Sequence, residues 1–353
     1  MSAFINGIGL ISPQKTAETK NFLTEIMEYD ADYLKCIEPS SYKPYIDPIQ
    51  SRRMSRLIKM GIASAKMCLN ESGCVMPDAI ITGTGLGSVE DTEKILGTIH
   101  LEQPFLNPTP FMQSTYNTIS SQIAIQLKCH NYNSTYVHRT FSFESALQDA
   151  LLQITEETAK DVLAGGIDEM TLNHLAITRR AGHWKNGPVK NLEMLEWNSP
   201  GSLAGEGAGY FLLSAVKNDR TYACVHDVRT FYKPANPDEI RQRVTRMLAA
   251  SGLSVSDIDL VLLGINGDNR NDHIYYEFAE SLFPATPLSF YKHLCGEYHT
   301  SSAFALWLAA NILQQQTVPD IIRINNLHRE PIRNILIYNQ YYNVNHSFLL
   351  LSE

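Results

Sequence analysis

Residues 136–150, YVHRTFSFESALQDA, join a β-favouring run directly to a helical one, and this junction limits what the chain can fold into more than any other stretch. Tyr136 to Thr140 favour extended backbone, whereas from Ser142 onward Phe143, Ala146, Leu147, Ala150 and Leu151 recur at helical spacing. A strand must therefore turn sharply into a buried helix near Thr140. Such a turn lifts one side chain above the end of a sheet and aims the first N–H groups of the helix at it, a geometry suited to a reacting carbonyl oxygen. The run AGGIDE at 164–169 follows at the end of the next strand. Neither a cysteine nor a serine with an activating partner stands at the tip of the turn.

Strands and helices alternate on both sides of this junction. Strand patterns occupy residues 3–10, 78–87 (ending in a glycine-rich turn), 161–167 and 210–214, with helices over 52–69 and 113–127 and a polar stretch of loops and short helices up to residue 50. The rhythm then repeats, with strands over 222–228, 258–265, 287–290, 335–338 and 347–351 and helices over 237–251, 274–282 and 301–314. This alternation is the pattern of layered α/β architecture. The polar KNDR at 217–220 separates two β-rich runs, so the division falls into residues 1–217 and 218–353. A chain of 353 residues, 44% hydrophobic, can bury a core of that size.

A net charge of −8 disfavours nucleic acid or an anionic membrane as a general partner. The six cysteines are scattered without a CxxC pair, which reads as reduced thiols in a cytoplasmic protein. No run approaches the roughly 18 apolar residues of a membrane span, and no basic segment precedes an apolar one at the N-terminus.

RRMSR at 52–56, GTGLG at 83–87, AGGIDE at 164–169, GEGAG at 205–209 and KHLCG at 292–296 occur in one order, and over nearly its whole length the chain resembles the β-ketoacyl synthases of fatty acid and polyketide synthesis. The resemblance implies a thiolase-like, five-layered αβαβα fold of two pseudo-twofold-related halves, a site where the halves meet, and a dimer. In that family an elbow cysteine takes an acyl group from an acyl carrier protein, and two histidines stabilise the enolate formed on decarboxylation. No metal or cofactor is implied, and His293 and His299 lack ligand spacing to other His or Cys.

Counted along the family's spacing, the cysteine position falls on Thr140, with Phe141 and Ser142 as alternative registers; the first histidine falls on Asn266 and the second on Glu297, five residues after Lys292. Asparagine keeps an amide donor. An ionised Glu297 would repel an enolate by several kcal/mol in a poorly solvated site, and a threonine hydroxyl is a far weaker nucleophile than a thiolate. The family's glycine-rich gating loop corresponds to QYYNVN at 340–345, where Tyr341 and Tyr342 should fill the substrate path and only Asn345 survives. Met112, Phe141, Ser142 and Phe143 are expected beside the acyl tunnel.

Lys292 reads as the family lysine, paired with Glu277. Cys295 reads as a packed thiol rather than a relocated nucleophile. His138 and Arg139 are expected to face the seam between the halves and to bond locally. The chain is therefore expected to be a non-condensing subunit like a chain-length factor, with the ketosynthase-like subunits of aryl polyene or flexirubin pathways as a close parallel. Its partner would be an active ketosynthase in a heterodimer, or a second copy of itself, with an acyl carrier protein as a further contact. The competing expectation is an atypical 3-oxoacyl synthase or acyltransferase using Thr140, Ser142 or Cys295.

Overall fold

The structure, a computed structural model, describes residues 2–17, 22–101 and 105–353. Residues 18–21 of the polar N-terminal stretch lie outside the described residues. The strands are β1 (Ala3–Ile11), β2 (Ala79–Gly83), β3 (Tyr132–Tyr136), β4 (Asp161–Asp168), β5 (Gly207–Ser214), β6 (Ala223–Tyr232), β7 (Leu260–Leu263), β8 (Leu288–Phe290), β9 (Asn334–Tyr341) and β10 (Asn345–Ser352). Among the described residues they form one ten-stranded sheet in the order β8-β7-β9-β10-β6-β1-β5-β4-β2-β3.

This order contains the same five-strand arrangement twice. In the first set β2 pairs in parallel with β3 and β4, while β4–β5 and β5–β1 are antiparallel. In the second, β7 pairs in parallel with β8 and β9, while β9–β10 and β10–β6 are antiparallel. The first strand of each set, β1 and β6, pair antiparallel to join the two sets.

Six helices cover these strands: α1 (Arg56–Ser72), α2 (Thr118–Leu127), α3 (Ser142–Thr155), α4 (Pro237–Ala250), α5 (His273–Leu282) and α6 (Ser302–Gln315). The apolar stripe of α3 and nearly the whole surface of α6 are buried in one core that also takes side chains from both strand sets, so these two helices form the middle layer. A helix that is apolar all round, as α6 is, must be covered on every side. Helices α1 and α2 pack outside the first strand set, and α4 and α5 outside the second. The result is the thiolase-like αβαβα arrangement. No helix among the described residues is long and apolar enough to cross a membrane.

Several motif residues turn out to be packing and clamping devices. A Cβ on Gly9 would lie 1.9 Å from the Ser64 carbonyl oxygen, so the glycines that interrupt the first strand let α1 rest directly on its backbone. The Arg56 guanidinium forks onto buried Glu206 at 2.6 and 2.8 Å, and Glu206 also accepts the Cys36 and Met170 N–H groups, which ties RRMSR to GEGAG. Asp168 accepts from the Gly85 and Leu86 N–H groups at 2.8 and 3.2 Å and from the Thr300 N–H and Oγ1 at 3.0 and 2.9 Å. It thereby links the glycine turn after β2 to the start of α6.

The elbow differs from expectation in where it bends. The strand ends at Tyr136, and Arg139–Phe141 form a 3-10 turn rather than the last residues of a strand. Arg139 has φ +47°, and Ser142 Oγ accepts the His138 N–H at 2.8 Å, so the chain reverses before Thr140 is reached. The single helix expected over 113–127 is also broken, into Pro108–Gln113 and α2. We expect Asp168→Ala to lower stability by about 3 kcal/mol and Asp168→Asn by less, read from the urea midpoint, because the alanine leaves buried N–H and hydroxyl donors unpaired.

Candidate functional site

Of the four positions to which the resemblance assigns the family's site, Asn266, Lys292 and Glu297 are bonded to one another where the strand sets meet. Asn266 follows β7 in a turn held by Asp272, which accepts the Asn266 and Gly267 N–H groups at 3.2 and 2.7 Å. Glu297 is positioned by the glycines on either side of it in space. Gly296 has φ +75°, a Cβ on Gly205 would lie 2.0 Å from the Cys295 carbonyl oxygen, and the Glu297 backbone exchanges bonds with Leu203 and Gly205. So placed, Glu297 Oε2 accepts from Lys292 Nζ at 2.5 Å and from Asn266 Nδ2 at 2.7 Å. Both Lys292 and Glu297 are buried. Asn266 Oδ1 in turn accepts the Asp268 N–H at 3.1 Å.

The pairing of Lys292 with Glu297 corrects the expectation of Glu277. Glu277 lies on the exposed face of α5, because the helical register that buries Ile274, Tyr275 and Phe278 turns it outward.

Thr140 lies on the other side, joined through the hairpin of β9 and β10. Its Oγ1 accepts from Asn345 Nδ2 at 2.8 Å, and Asn345 pairs across the hairpin with Tyr341. Burial, Tyr342 and the Glu297 carboxylate together push the Tyr341 phenol up. QYYNVN is therefore a tight hairpin end, in which Tyr342 and Asn343 both take left-handed φ of 52°. Tyr341 and Tyr342 pack edge to face at 4.5 Å, Tyr342 meets His183 at 5.3 Å and Tyr341 meets His299 at 5.6 Å. Four rings thus gather at this hairpin end.

Other expected positions are placed differently. Ser142 is fully buried, with its Oγ also within reach of the Thr84 and Arg139 carbonyls at 2.9 and 2.7 Å, so the hydroxyl ties the elbow together and offers no lone nucleophile. Phe143 is wholly buried against Phe211 in the central core rather than along a passage. Phe141 is buried and stacked on His138. Met112 is 61% exposed, and Phe105, Phe111 and Tyr116 in the same stretch of chain are exposed too. His138 and Arg139 are exposed, not enclosed at the seam, because the early turn swings them outward. Cys295 is buried, and burial pushes its thiol well above the ordinary range, against the pull of Lys292.

The sequence reading missed a second shell of acids around Lys292. Burial raises Glu144 and Asp272 each to about 7, and Lys292 opposes the rise in both. Glu144 sits two residues past Ser142 on an otherwise apolar face, which was the available signal; its Oε1 accepts from Ser347 Oγ at 2.9 Å. Because its folded value lies above its unfolded one, the stability it permits is complete below about pH 4.5 and is lost as pH rises through 7. Glu144→Gln should therefore match the parent at pH 4 and exceed it at pH 8 by up to about 3 kcal/mol, in denaturant melts at the two pH values. Glu297→Gln should cost about 3 kcal/mol at neutral pH by leaving a buried ammonium without its counterion, and Lys292→Met with Glu297→Leu should recover most of that loss.

Comparison with known proteins agrees with this geometry. Residues 34–173 match the model of the family "Beta-ketoacyl synthase, N-terminal domain". No curated protein matches the sequence. Among solved structures, the ishigamide ketosynthase/chain length factor superposes with a TM-score of 0.81 at 18% identity, over 99% of this chain and 98% of the other. A β-ketoacyl synthase from Burkholderia phymatum gives 0.76 at 14% identity over 99% of both chains. A chain of the AntDE:AntF complex, a type II PKS acyl-carrier protein with its ketosynthase bound to the hexaketide, gives 0.79 at 12% identity over 99% and 98%.

Proposed function

We propose that this chain is a β-ketoacyl synthase-like subunit of fatty acid or polyketide synthesis that keeps the thiolase-like scaffold, as halves 1–217 and 218–353, but does not itself condense acyl groups. The observation that carries this reading is the state of Glu297. In the family's second histidine position stands a carboxylate locked to Lys292 at 2.5 Å, and it also accepts from the Asn266 amide at 2.7 Å. An enolate forming there would meet a fixed negative oxygen. Thr140 adds to it: its hydroxyl has Asn345 as its hydrogen-bond partner and no base.

The likeness to a ketosynthase/chain length factor supports a role beside an active synthase rather than alone. Strand β3 lies at the end of the sheet, with a free edge that another chain would cover. The nearby exposed apolar side chains Phe105, Phe111, Met112, Tyr116 and Val137 would be covered in the same contact. A heterodimer keeps one working site, whereas a homodimer would hold two degenerate ones. In the heterodimer Met112 would face the partner's acyl tunnel and limit chain growth by steric exclusion. Phe143 does not serve this purpose, since Phe143→Ala would open a core cavity costing about 3–5 kcal/mol.

Purified alone, the protein should take no acyl group from a carrier and release no carbon dioxide from malonyl carrier above background. Co-expressed with an intact synthase it should form a one-to-one complex, and Met112→Ala should lengthen the products without abolishing turnover. An acyl adduct seen by intact mass and lost in Thr140→Ala would instead establish the atypical acyltransferase.

A further inference from the structure

Asparagine followed by glycine occurs three times, at Asn6-Gly7, Asn186-Gly187 and Asn266-Gly267. The pair is chemically fragile, because the glycine amide nitrogen can close on the asparagine side-chain carbonyl carbon with no Cβ in its way. Closure needs a carboxamide free to turn and a glycine N–H free of any hydrogen bond. The three pairs are alike in sequence, and the fold treats them differently.

Two of them are locked. Asn6 is buried in β1, where its Nδ2 donates to the Val216 carbonyl at 2.9 Å and its Oδ1 accepts from Thr221 Oγ1 at 2.6 Å. Gly7 is in register with Leu212 on β5, and a Cβ there would lie 2.6 Å from Ser72 Cβ. Asn266 is buried, with its Nδ2 on Glu297 Oε2 and its Oδ1 accepting the Asp268 N–H, and the Gly267 N–H donates to Asp272 Oδ2 at 2.7 Å. The third pair is open. Asn186 is exposed, and among the described residues neither its carboxamide nor the Gly187 N–H has a hydrogen-bond partner. Gly187 stands at φ +97° with nothing within 4 Å of where a Cβ would lie, so no neighbour packs on that face.

The chain on either side is anchored. Lys185 is buried; its N–H donates to the Ser202 carbonyl at 3.0 Å, and its Nζ donates to the Trp197 and Gly267 carbonyls at 2.9 Å each and to the Ser199 carbonyl at 3.2 Å. On the other side Val189 pairs with Ala31. Asn186, Gly187 and Pro188 are thus a short bridge between two fixed points.

We propose that Asn186 is a site of spontaneous backbone modification. The Gly187 nitrogen bonds to Asn186 Cγ, the Cγ–Nδ2 bond breaks, and the side-chain amino group leaves with the Gly187 amide proton as ammonia, closing a succinimide ring. Water then opens the ring at either carbonyl, giving aspartate or isoaspartate at 186. Both products add one negative charge. Isoaspartate also adds a methylene to the backbone directly after Lys185, whose ammonium holds Gly267 beside Asn266.

The test is peptide mapping by mass spectrometry of the full chain, native and in guanidinium chloride, during incubation at pH 8.5 and 37 °C, with isoaspartate read by enzymatic methylation of isoaspartyl carboxyls. In the native chain the peptide containing Asn186 should exchange its amide for a carboxyl and accept methyl groups at least about tenfold faster than the peptides containing Asn6 and Asn266, whose bonded groups must first open. In denaturant that difference should largely vanish. Asn186→Gln should remove the native signal and keep the parent's circular dichroism spectrum. An unchanged Asn186 in a native chain whose denatured form reacts, native conversion of Asn6 or Asn266 as fast as that of Asn186, or a native signal that persists in Asn186→Gln would each overturn the assignment.

Discussion

The buried ion pair of Lys292 with Glu297 governs what the centre of this molecule can do. An ammonium and a carboxylate removed from water lose several kcal/mol each in hydration and recover it only through close contact with each other and with further donors. The 2.5 Å contact and the Asn266 amide at 2.7 Å meet that condition, and in doing so they tie the three side chains at the junction of the strand sets to one another. Neither partner can turn toward a substrate without leaving the other uncompensated. Glu144 and Asp272, each raised to about 7, show the same region already holding more acid than one lysine can balance.

The scaffold persists because the motifs that carry the resemblance do mechanical work. Glu206 joins the segments of Cys36, Arg56 and Met170 through four hydrogen bonds, and Asp168 joins the turn after β2 to α6. Gly205 and Gly296 allow two backbones to meet at a separation that no Cβ would permit. None of these groups touches a reacting atom. The layers therefore stand on contacts that do not involve the reacting positions the resemblance implies at Thr140, Asn266 and Glu297.

The sequence made the layers legible because its signals there are long and redundant: nearly every strand and helix of the two strand sets follows from periodicity, and the all-round apolar character of 302–315 places that helix in the middle. Spacing to the motifs gave the expected positions Thr140, Asn266 and Glu297, and the structure brings Asn266 and Glu297 into contact. Contacts between distant segments were not legible. Nothing local pairs Lys292 with Glu297 in preference to Glu277, because the choice is made by the Gly205–Gly296 approach, which brings together residues about ninety apart. The outward swing of Arg139 was hidden for a similar reason: it follows from Ser142 Oγ capturing the His138 N–H, whereas propensity alone extends the strand to Thr140. Phe143 shows the opposite error, since a large apolar residue beside an elbow fits a tunnel wall and a core equally well until Phe211 is seen to occupy the other side.

The open groups of this molecule lie at its rim rather than at its centre. The cleft is walled by Tyr341, Tyr342, His183 and His299, and Tyr342 holds a left-handed backbone that it adopts only because packing over-determines it. Meanwhile β3 leaves its outer hydrogen-bonding groups unpaired at the end of the sheet, and Phe105, Phe111 and Met112 stand in water close to the start of α2. An exposed edge and an exposed apolar patch each promote association, and their proximity lets one partner satisfy both. With its buried charges paired at the centre and an unpaired strand edge beside exposed apolar side chains at the rim, the chain offers its unsatisfied groups at the surface.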